Sequence, residues 1–173
     1  MNNPKVYTII GNPDTGKTTT AWLIYLLLLE EKKATVEYFH LFREDSPEEG
    51  DKPATEIIFY DGEDGIKRPY DFKAIIILGD VRIAIYSPGD NTDILTDGFN
   101  WMVGVQPHIF INCCHSNWNS YVRHKLGEYE KVYPITTYHL RKDYEQADIT
   151  KAQESRKELA EKIVENISNQ NTK

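Results

Sequence analysis

The 173-residue chain has few cysteines, no excess of basic residues and no long apolar run, and each shortage excludes a class of protein. Its two cysteines, Cys113 and Cys114, are adjacent. Neighbours on a strand point to opposite faces, so a disulfide between them is not expected. The formal net charge of −7 argues against binding to the phosphate backbone of nucleic acids. We therefore expect two buried thiols and no nucleic-acid partner.

No segment is typical of export or of membrane insertion. Pro4 and Lys5 lead directly into the first predicted strand, which is not the pattern of a signal peptide. The apolar run at 21–29 is too short to span a bilayer. We therefore predict a cytoplasmic protein with no membrane partner. The length predicts one domain over residues 1–168, followed by a flexible tail at 169–173.

The strongest pattern is at residues 11–18, G-N-P-D-T-G-K-T, which match the phosphate-loop pattern G-x-x-x-x-G-K-[ST] in full. Residues 6–10 before it are β-branched and aromatic and predict a buried strand. Residues 19–29 after it predict a helix. Strand, glycine loop and helix together are the context that this motif requires. We therefore predict a loop that binds the phosphates of a nucleotide.

The residue types in this loop suit phosphate chemistry. Gly11 and Gly16 lack a Cβ, so the backbone can curl and turn its N–H groups towards one centre. The start of the next helix adds free N–H groups and the positive end of its dipole. Lys17 is expected to reach the β- and γ-phosphates, Thr18 to offer its hydroxyl to Mg²⁺, and Thr19 to contact the α-phosphate. The predicted nucleotide-binding residues are Gly11, Asn12, Pro13, Asp14, Thr15, Gly16, Lys17, Thr18 and Thr19.

The loop resembles the Walker A motif of the P-loop NTPases, and this resemblance covers about the first thirty residues. The rest of the chain alternates between predicted strands and predicted helices. Strands are predicted at 34–42, 55–60, 71–78, 81–86, 107–114 and 132–140, and helices at 91–103, 116–126 and from 150 onward. Gly79 and Asp80 between two apolar runs predict a hairpin.

This alternation predicts a fold of the P-loop NTPase type, an α/β three-layer α/β/α sandwich with a mostly parallel sheet. The hairpin is expected to supply one antiparallel edge strand. The phosphate site is expected at the C-terminal ends of the strands.

Two polar segments interrupt the pattern. Residues 43–53 are acidic and contain proline and glycine, so they predict a mobile surface loop that could become ordered when a γ-phosphate is present. Residues 61–65, D-G-E-D-G, form a turn cluster whose three acids could hold a cation. They lack the calcium-loop pattern, and we expect a solvated turn instead.

A phosphate loop normally works with a carboxylate near Mg²⁺, usually an Asp that ends a neighbouring strand. Residues 87–89, S-P-G, resemble the D-x-x-G element of translation-factor and Ras-like GTPases, but Tyr86 stands in place of their Asp. Ser87 and Asp90 are the available substitutes. We favour Asp90 as a Mg²⁺ ligand and catalytic residue. Its alternative role is the N-cap of the helix that follows.

The nucleobase that the site prefers and the arginine that stabilises charge on the γ-phosphate are predicted from weaker patterns. The strand at 107–114 ends N-C-C-H, where those GTPases have N-K-x-D to recognise guanine, so ATP is expected by elimination. Residues 5–125 also resemble a set of small bacterial P-loop proteins with an S-x-G-D element, which implies binding of a nucleoside triphosphate. Arg123 is the favoured cation for the γ-phosphate, with Arg141 and Arg43 as alternatives.

Three functions are compatible with these residues. The first is a small ATPase or nucleotide switch that hydrolyses ATP with Mg²⁺. The second is a small-molecule or nucleotide kinase, although neither a D-R acceptor motif nor an Arg-rich lid is evident. The third is a non-enzymatic nucleotide-binding module that meets a protein partner or a second copy of itself. Trp101, Trp118 and Tyr121 could form such a surface, and core packing explains them equally well.

Overall fold

The computed structural model describes residues 3–12, 14–47, 49–116, 121–140 and 149–169. Its helices and strands alternate along the chain. They are β1 (Lys5–Gly11), α1 (Lys17–Glu30), β2 (Thr35–Leu41), β3 (Phe59–Asp61), β4 (Lys67–Pro69), β5 (Phe72–Leu78), β6 (Val81–Tyr86), α2 (Thr92–Val105), β7 (Ile109–His115), α3 (Tyr121–Tyr129), β8 (Ile135–His139) and α4 (Ile149–Ser168).

Six of the strands form one mixed sheet in the order β2-β5-β6-β7-β1-β8. The pairs β6–β7, β7–β1 and β1–β8 are parallel, whereas β5 is antiparallel to both of its neighbours. Strand β1 is buried from Val6 to Gly11, as expected for a central strand with both faces covered. The prediction of an α/β fold with a mostly parallel sheet is confirmed.

Helices cover both faces of this sheet. On one face, α1 and α4 bury a core that includes Trp22, Tyr25 and Ile163. On the other face, α2 and α3 bury a second core that includes Phe99 and Leu126. In β1, β6 and β7, alternate residues enter the two cores, which is the period-two pattern of a pleated strand.

The two adjacent cysteines follow this alternation. Cys113 enters the core under α1, and Cys114 enters the core under α2. Both thiols are free and buried. Burial raises the pKa of Cys113 far above its usual range and that of Cys114 to about 11. Both therefore stay protonated at neutral pH, as two packing side chains.

The predicted hairpin is present, but its place in the sheet is different. Strands β5 and β6 pair through the turn at Gly79 and Asp80. The expectation that the hairpin supplies the edge strand is wrong, because β2 pairs antiparallel with the outer side of β5 and becomes the edge. The single antiparallel strand of this sheet, β5, therefore lies second from the edge.

Other boundaries also shift. Helix α3 continues through Gly127 to Tyr129, so this glycine does not end it. Pro134 comes directly before β8, an edge strand, where a missing N–H costs no ladder bond. Within the part of the chain that the structure describes, no helix has both the length and the apolar character needed to cross a membrane.

Strands β3 and β4 form a separate two-stranded antiparallel sheet. We refer to residues 59–69 as the hairpin arm. The predicted strand at 55–60 overlaps β3, whereas β4 was not expected. The arm leads directly into Asp71 and β5. It therefore lies at the same end of the main sheet as the C-terminal end of β1.

Candidate functional site

The segment that matches the phosphate-loop pattern, which we call the phosphate loop for that match alone, lies between the end of β1 at Gly11 and the start of α1 at Lys17. Gly16 has φ +93°, a left-handed conformation that glycine adopts without steric cost. Asp14 has φ +58°, in the small left-handed region that Asp tolerates better than most residues. The side chain of Thr15 donates a 2.8 Å hydrogen bond to the Asn12 carbonyl and closes the loop.

Lys17 is buried beside this loop, with only 7% of its surface exposed. Its ammonium donates to the Asn12 carbonyl at 3.2 Å and lies 3.7 Å from a carboxylate oxygen of Asp90. Because little of this side chain is exposed, its charge is screened less by water and salt than that of a surface lysine. Lys17 and Asp90, both predicted from sequence, are therefore brought together.

Asp71, a carboxylate that was not predicted as a site residue, precedes β5 and lies beside the start of α1. The Thr18 hydroxyl donates to Asp71 Oδ1 at 2.9 Å, and the Ser87 hydroxyl donates to the same oxygen at 2.7 Å. Ser87 also accepts a bond from the Phe72 amide at 2.9 Å. The Asp71 carbonyl accepts a 2.9 Å bond from the Phe42 amide. Asp71 is therefore fixed through both its backbone and its side chain.

The environment of Asp71 disfavours its charged form. Loss of hydration raises its pKa above the usual value, and this effect outweighs the hydrogen bonds from Ser87 and Thr18 and the nearby charge of Lys17. Asp90 adds to the rise by charge repulsion. A cation bound here would remove this penalty, because it would neutralise the carboxylate that desolvation opposes.

The strand direction explains why Asp71 was missed. The carboxylate expected from the sequence was an Asp that ends a parallel strand, and β6 ends with Tyr86. Since β5 is antiparallel to β6, its first residues lie beside the last residues of β6, where Ser87 follows. The hairpin turn at Gly79 and Asp80 was the available signal. Counting outward from that turn along both strands brings Asp71 and Ser87 to the same end of the hairpin.

Asp90 is not the N-cap of α2. That role belongs to Asn91, whose side-chain oxygen accepts a 2.9 Å bond from the Ile94 amide. The alternative prediction, that Asp90 caps α2, is therefore wrong. Its side chain is 72% exposed and lines the cleft above the phosphate loop.

Arg156 of α4 reaches the phosphate loop from a distant part of the chain. Its Nε donates to the Thr15 carbonyl at 3.2 Å. A Cβ at Gly16 would collide with this guanidinium, so the glycine also makes room for it. Burial lowers the pKa of Arg156. No motif marks this residue in the sequence, because its approach depends on the packing of α4 against α1.

These groups surround an open cleft of about 720 Å³. The phosphate loop and the start of α1 form one wall, and the hairpin arm forms a second wall. The lining residues are Asp14, Gly16, Lys17, Thr18, Thr19, Tyr60, Ile66, Lys67, Arg68, Pro69, Asp71, Asp90, His115 and Arg156. A cleft of this volume is in the usual range for small-molecule sites.

Two of the three arginines proposed from sequence have other positions. Arg123 lies on α3, where it pairs with Glu130 at 3.0 Å, and it is not among the residues that line this cleft. Arg43 pairs with Asp45 and Asp51 in the loop after β2. Arg141, like Pro13 of the phosphate loop and Trp118, lies outside the described residues.

The loop at 43–53 is held to β2 by Asp51. The Leu41 amide donates to the Asp51 carboxylate at 2.8 Å, and the Asp51 amide donates to the Phe39 carbonyl at 2.7 Å. Burial opposes the charged form of Asp51, but the hydrogen bonds from the Leu41 amide, Ser46 and Arg43 together with the charge of Arg43 lower its pKa. The described residues of this segment are therefore tied to the edge of the sheet.

Comparison with known proteins gave no relative from which a role could be taken. No protein-family model matches the chain, and no match was found among curated proteins or solved structures. What the cleft can bind therefore follows from the residues that line it.

Proposed function

We propose that the chain binds a Mg²⁺–nucleoside triphosphate, with ATP preferred, and hydrolyses it as a small ATPase or nucleotide switch. The observation that carries this proposal is the 2.9 Å hydrogen bond between Thr18 and Asp71 at the phosphate loop. A loop threonine and a carboxylate are the two protein ligands that P-loop NTPases use for Mg²⁺. Here they meet although the expected strand-terminal Asp is replaced by Tyr86.

The loop supplies the phosphate site. The backbone amides at the start of α1 have no partner earlier in the helix, and they carry the positive end of its dipole. Lys17 adds a full positive charge that is largely shielded from water. Together they favour a ligand with several negative charges close together, as in a di- or triphosphate.

The residues at the cleft fit a magnesium ion that is shared with such a ligand. Among the described residues, no group of three or more His, Cys, Asp or Glu side chains is arranged to hold a metal ion. Mg²⁺ usually binds through one or two carboxylates together with substrate phosphates and water. Thr18 and Asp71 match that requirement, and Asp90 is close enough to the loop to contact water in the cleft. The ion would neutralise charge on the phosphates.

ATP is preferred over GTP because β7 ends without the residues that would recognise guanine. Its last residues, Asn112 to His115, contain neither the Lys nor the Asp of that motif. His115 lines the cleft instead.

The proposal is tested by titration calorimetry with ATP and GTP, with and without Mg²⁺. Lys17→Ala is expected to weaken ATP binding roughly 100-fold, because it removes the buried charge at the loop. Asp71→Asn is expected to remove most of the gain that Mg²⁺ gives, while binding without Mg²⁺ stays close to wild type. The matched control is Asp80→Asn, which removes one charge at the opposite end of the same hairpin.

Phosphate release in the same samples separates the reactions. Slow release that depends on Mg²⁺ and on Asp71 supports the ATPase. Tight binding without release would instead favour the kinase or the non-enzymatic module. If wild type binds neither nucleotide, or if Lys17→Ala binds like wild type, the proposed function is wrong.

A further inference from the structure

The acidic turn of the hairpin arm binds the guanidinium of Arg68. Arg68 donates from Nη1 and Nη2 to the two carboxylate oxygens of Asp64, at 2.8 and 2.7 Å. Asp64 Oδ1 also accepts a 3.1 Å bond from the Ile66 amide. The acidic turn at 61–65 is therefore more than a solvated connection, because one of its acids fixes an arginine in a two-bond geometry.

The backbone of the turn is shaped around this guanidinium. A Cβ at Gly62 would collide with Arg68 Nη1, so the guanidinium lies where any larger residue would project. The turn is closed by hydrogen bonds from the Gly62 amide to the Ile66 carbonyl at 3.0 Å and from the Gly65 amide to the Gly62 carbonyl at 2.9 Å. Arg68 is therefore oriented before any ligand arrives.

The remaining side of the guanidinium points towards the phosphate loop. Arg68 Nε lies 3.8 Å from Asp14 Oδ1, and both residues line the cleft. Asp14 is 81% exposed in its side chain. A carboxylate in a phosphate loop repels phosphate, so an arginine that pairs with it lowers this repulsion.

Position in the cleft identifies what Arg68 can recognise. Arg68 precedes Asp71 by three residues, and Asp71 joins the hairpin arm to Thr18 at the start of α1. Asp14 belongs to the turn of the loop before Lys17, the residue that reaches the outer phosphates. A planar guanidinium binds phosphate oxygens in pairs, which an ammonium cannot do.

We propose that Arg68 binds the terminal phosphate of a nucleoside triphosphate, exchanging its contact with Asp14 for that phosphate while Asp64 keeps it oriented. The cleft then discriminates a triphosphate from a diphosphate through the hairpin arm. This inference rests on the proposed function, and it assigns to one residue the recognition of the third phosphate.

The test measures Kd for Mg²⁺–ADP and for the Mg²⁺ complex of a non-hydrolysable ATP analogue. Arg68→Ala is expected to weaken analogue binding about tenfold, while ADP binding changes less than about twofold. The matched control is Lys125→Ala. Lys125 is 33% exposed and pairs with Glu128, an acid 48% exposed, and Arg68 and Asp64 have the same two values. The control variant should change neither Kd.

Two further variants keep the result interpretable. Arg68→Lys preserves the charge without the planar fork, and it should recover only part of the lost analogue affinity. Asp14→Asn removes the competing carboxylate and should strengthen analogue binding more in wild type than in the Arg68→Ala background. The melting temperature of each variant reports whether it is folded.

The outcomes separate the two proposals. Equal losses for ADP and the analogue, or no loss for either, in a folded Arg68→Ala protein that still depends on Lys17 would overturn the role of Arg68 and leave the proposed function standing. If wild type binds neither nucleotide, both proposals are wrong.

Discussion

The two walls of the cleft are built in different ways. The phosphate loop follows β1, a strand buried on both faces, and it leads into α1, whose Trp22 is fully buried. The hairpin arm has two three-residue strands, and its Phe59 and Ile66 are 48% and 56% exposed. The first wall is therefore held by the core of the domain, and the second by hydrogen bonds within its own turn.

This difference has a functional meaning. A wall held by the core keeps its geometry whether or not a ligand is bound, which suits a phosphate site made of backbone amides. A segment with few buried apolar contacts opens at a lower free-energy cost than the core. In the proposed function, the arm is therefore the wall that would adjust to the length of a bound phosphate chain.

The largest expected effect is at the loop wall. Trp22 packs against the rings of Tyr25, Phe39 and Phe72, and its indole N–H donates to the Tyr70 carbonyl at 2.9 Å. Trp22→Ala should lower the free energy of unfolding by about 3–5 kcal/mol, because it leaves a cavity among these rings. Urea denaturation followed by circular dichroism measures this change.

Trp22→Phe serves as the control for that variant. It keeps an aromatic ring in the cluster and loses the bond to Tyr70, so we expect a smaller loss than with alanine. A loss below about 1 kcal/mol for Trp22→Ala would contradict the view that the core fixes this wall.

A smaller effect is expected where the walls meet, at Asp71. Its pKa is raised in the folded protein, so ionisation is harder there than in the unfolded chain. Its contribution to stability is present at pH below the ordinary Asp pKa of about 3.9 and is lost as pH rises through the folded-state pKa. Without Mg²⁺ and nucleotide, Asp71→Asn should therefore melt at a higher temperature than wild type at pH 7.

The same comparison at pH 3 is the internal control, because Asp71 is then protonated in both the folded and the unfolded state. Asparagine can still accept the bonds from Thr18 and Ser87, so the two proteins should melt alike there. Scanning calorimetry at both pH values measures the difference. A stabilisation that persists unchanged at pH 3 would show that charge is not its cause.

The smallest effect is expected on the arm. Phe59→Ala should change the free energy of unfolding by less than about 0.5 kcal/mol, because the side chain is already half exposed and lies outside both cores. Urea denaturation beside Trp22→Ala makes the contrast direct. A loss comparable with that of Trp22→Ala would show that the arm is held by packing after all.

Local chemistry made the loop wall predictable. A β-branched strand, a glycine loop and a helix follow one another within residues 5–30, and no distant contact is needed to recognise them. The hairpin at 72–86 was also predicted, because its turn residues lie between its strands. The predicted position of this hairpin at the edge of the sheet was wrong, because no residue within the hairpin indicates that β2 will pair with its outer strand.

The other parts of the cleft depended on distant contacts or on the exact start of a helix. Asp71 acquires its role from the direction of β5, and Arg68 from a turn whose acids suggested only solvation. Arg156 approaches Gly16 because α4 packs beside α1. In the case of Asp90 and Asn91, one residue of register in a helix start decided which side chain became the cap.

The bonds around Asp71 also bear on the order in which the molecule folds. Its partners Thr18 and Ser87 are 53 and 16 residues away along the chain, and Phe42 approaches from a third segment. Joining them closes long loops, whose entropy must be lost before the contacts can compensate. The strand, loop and helix at 5–30 can form early, whereas the carboxylate reaches Thr18 only when β2, β5 and β6 have paired. The proposed Mg²⁺-dependent nucleotide affinity should therefore appear late in refolding and report on completion of the native sheet.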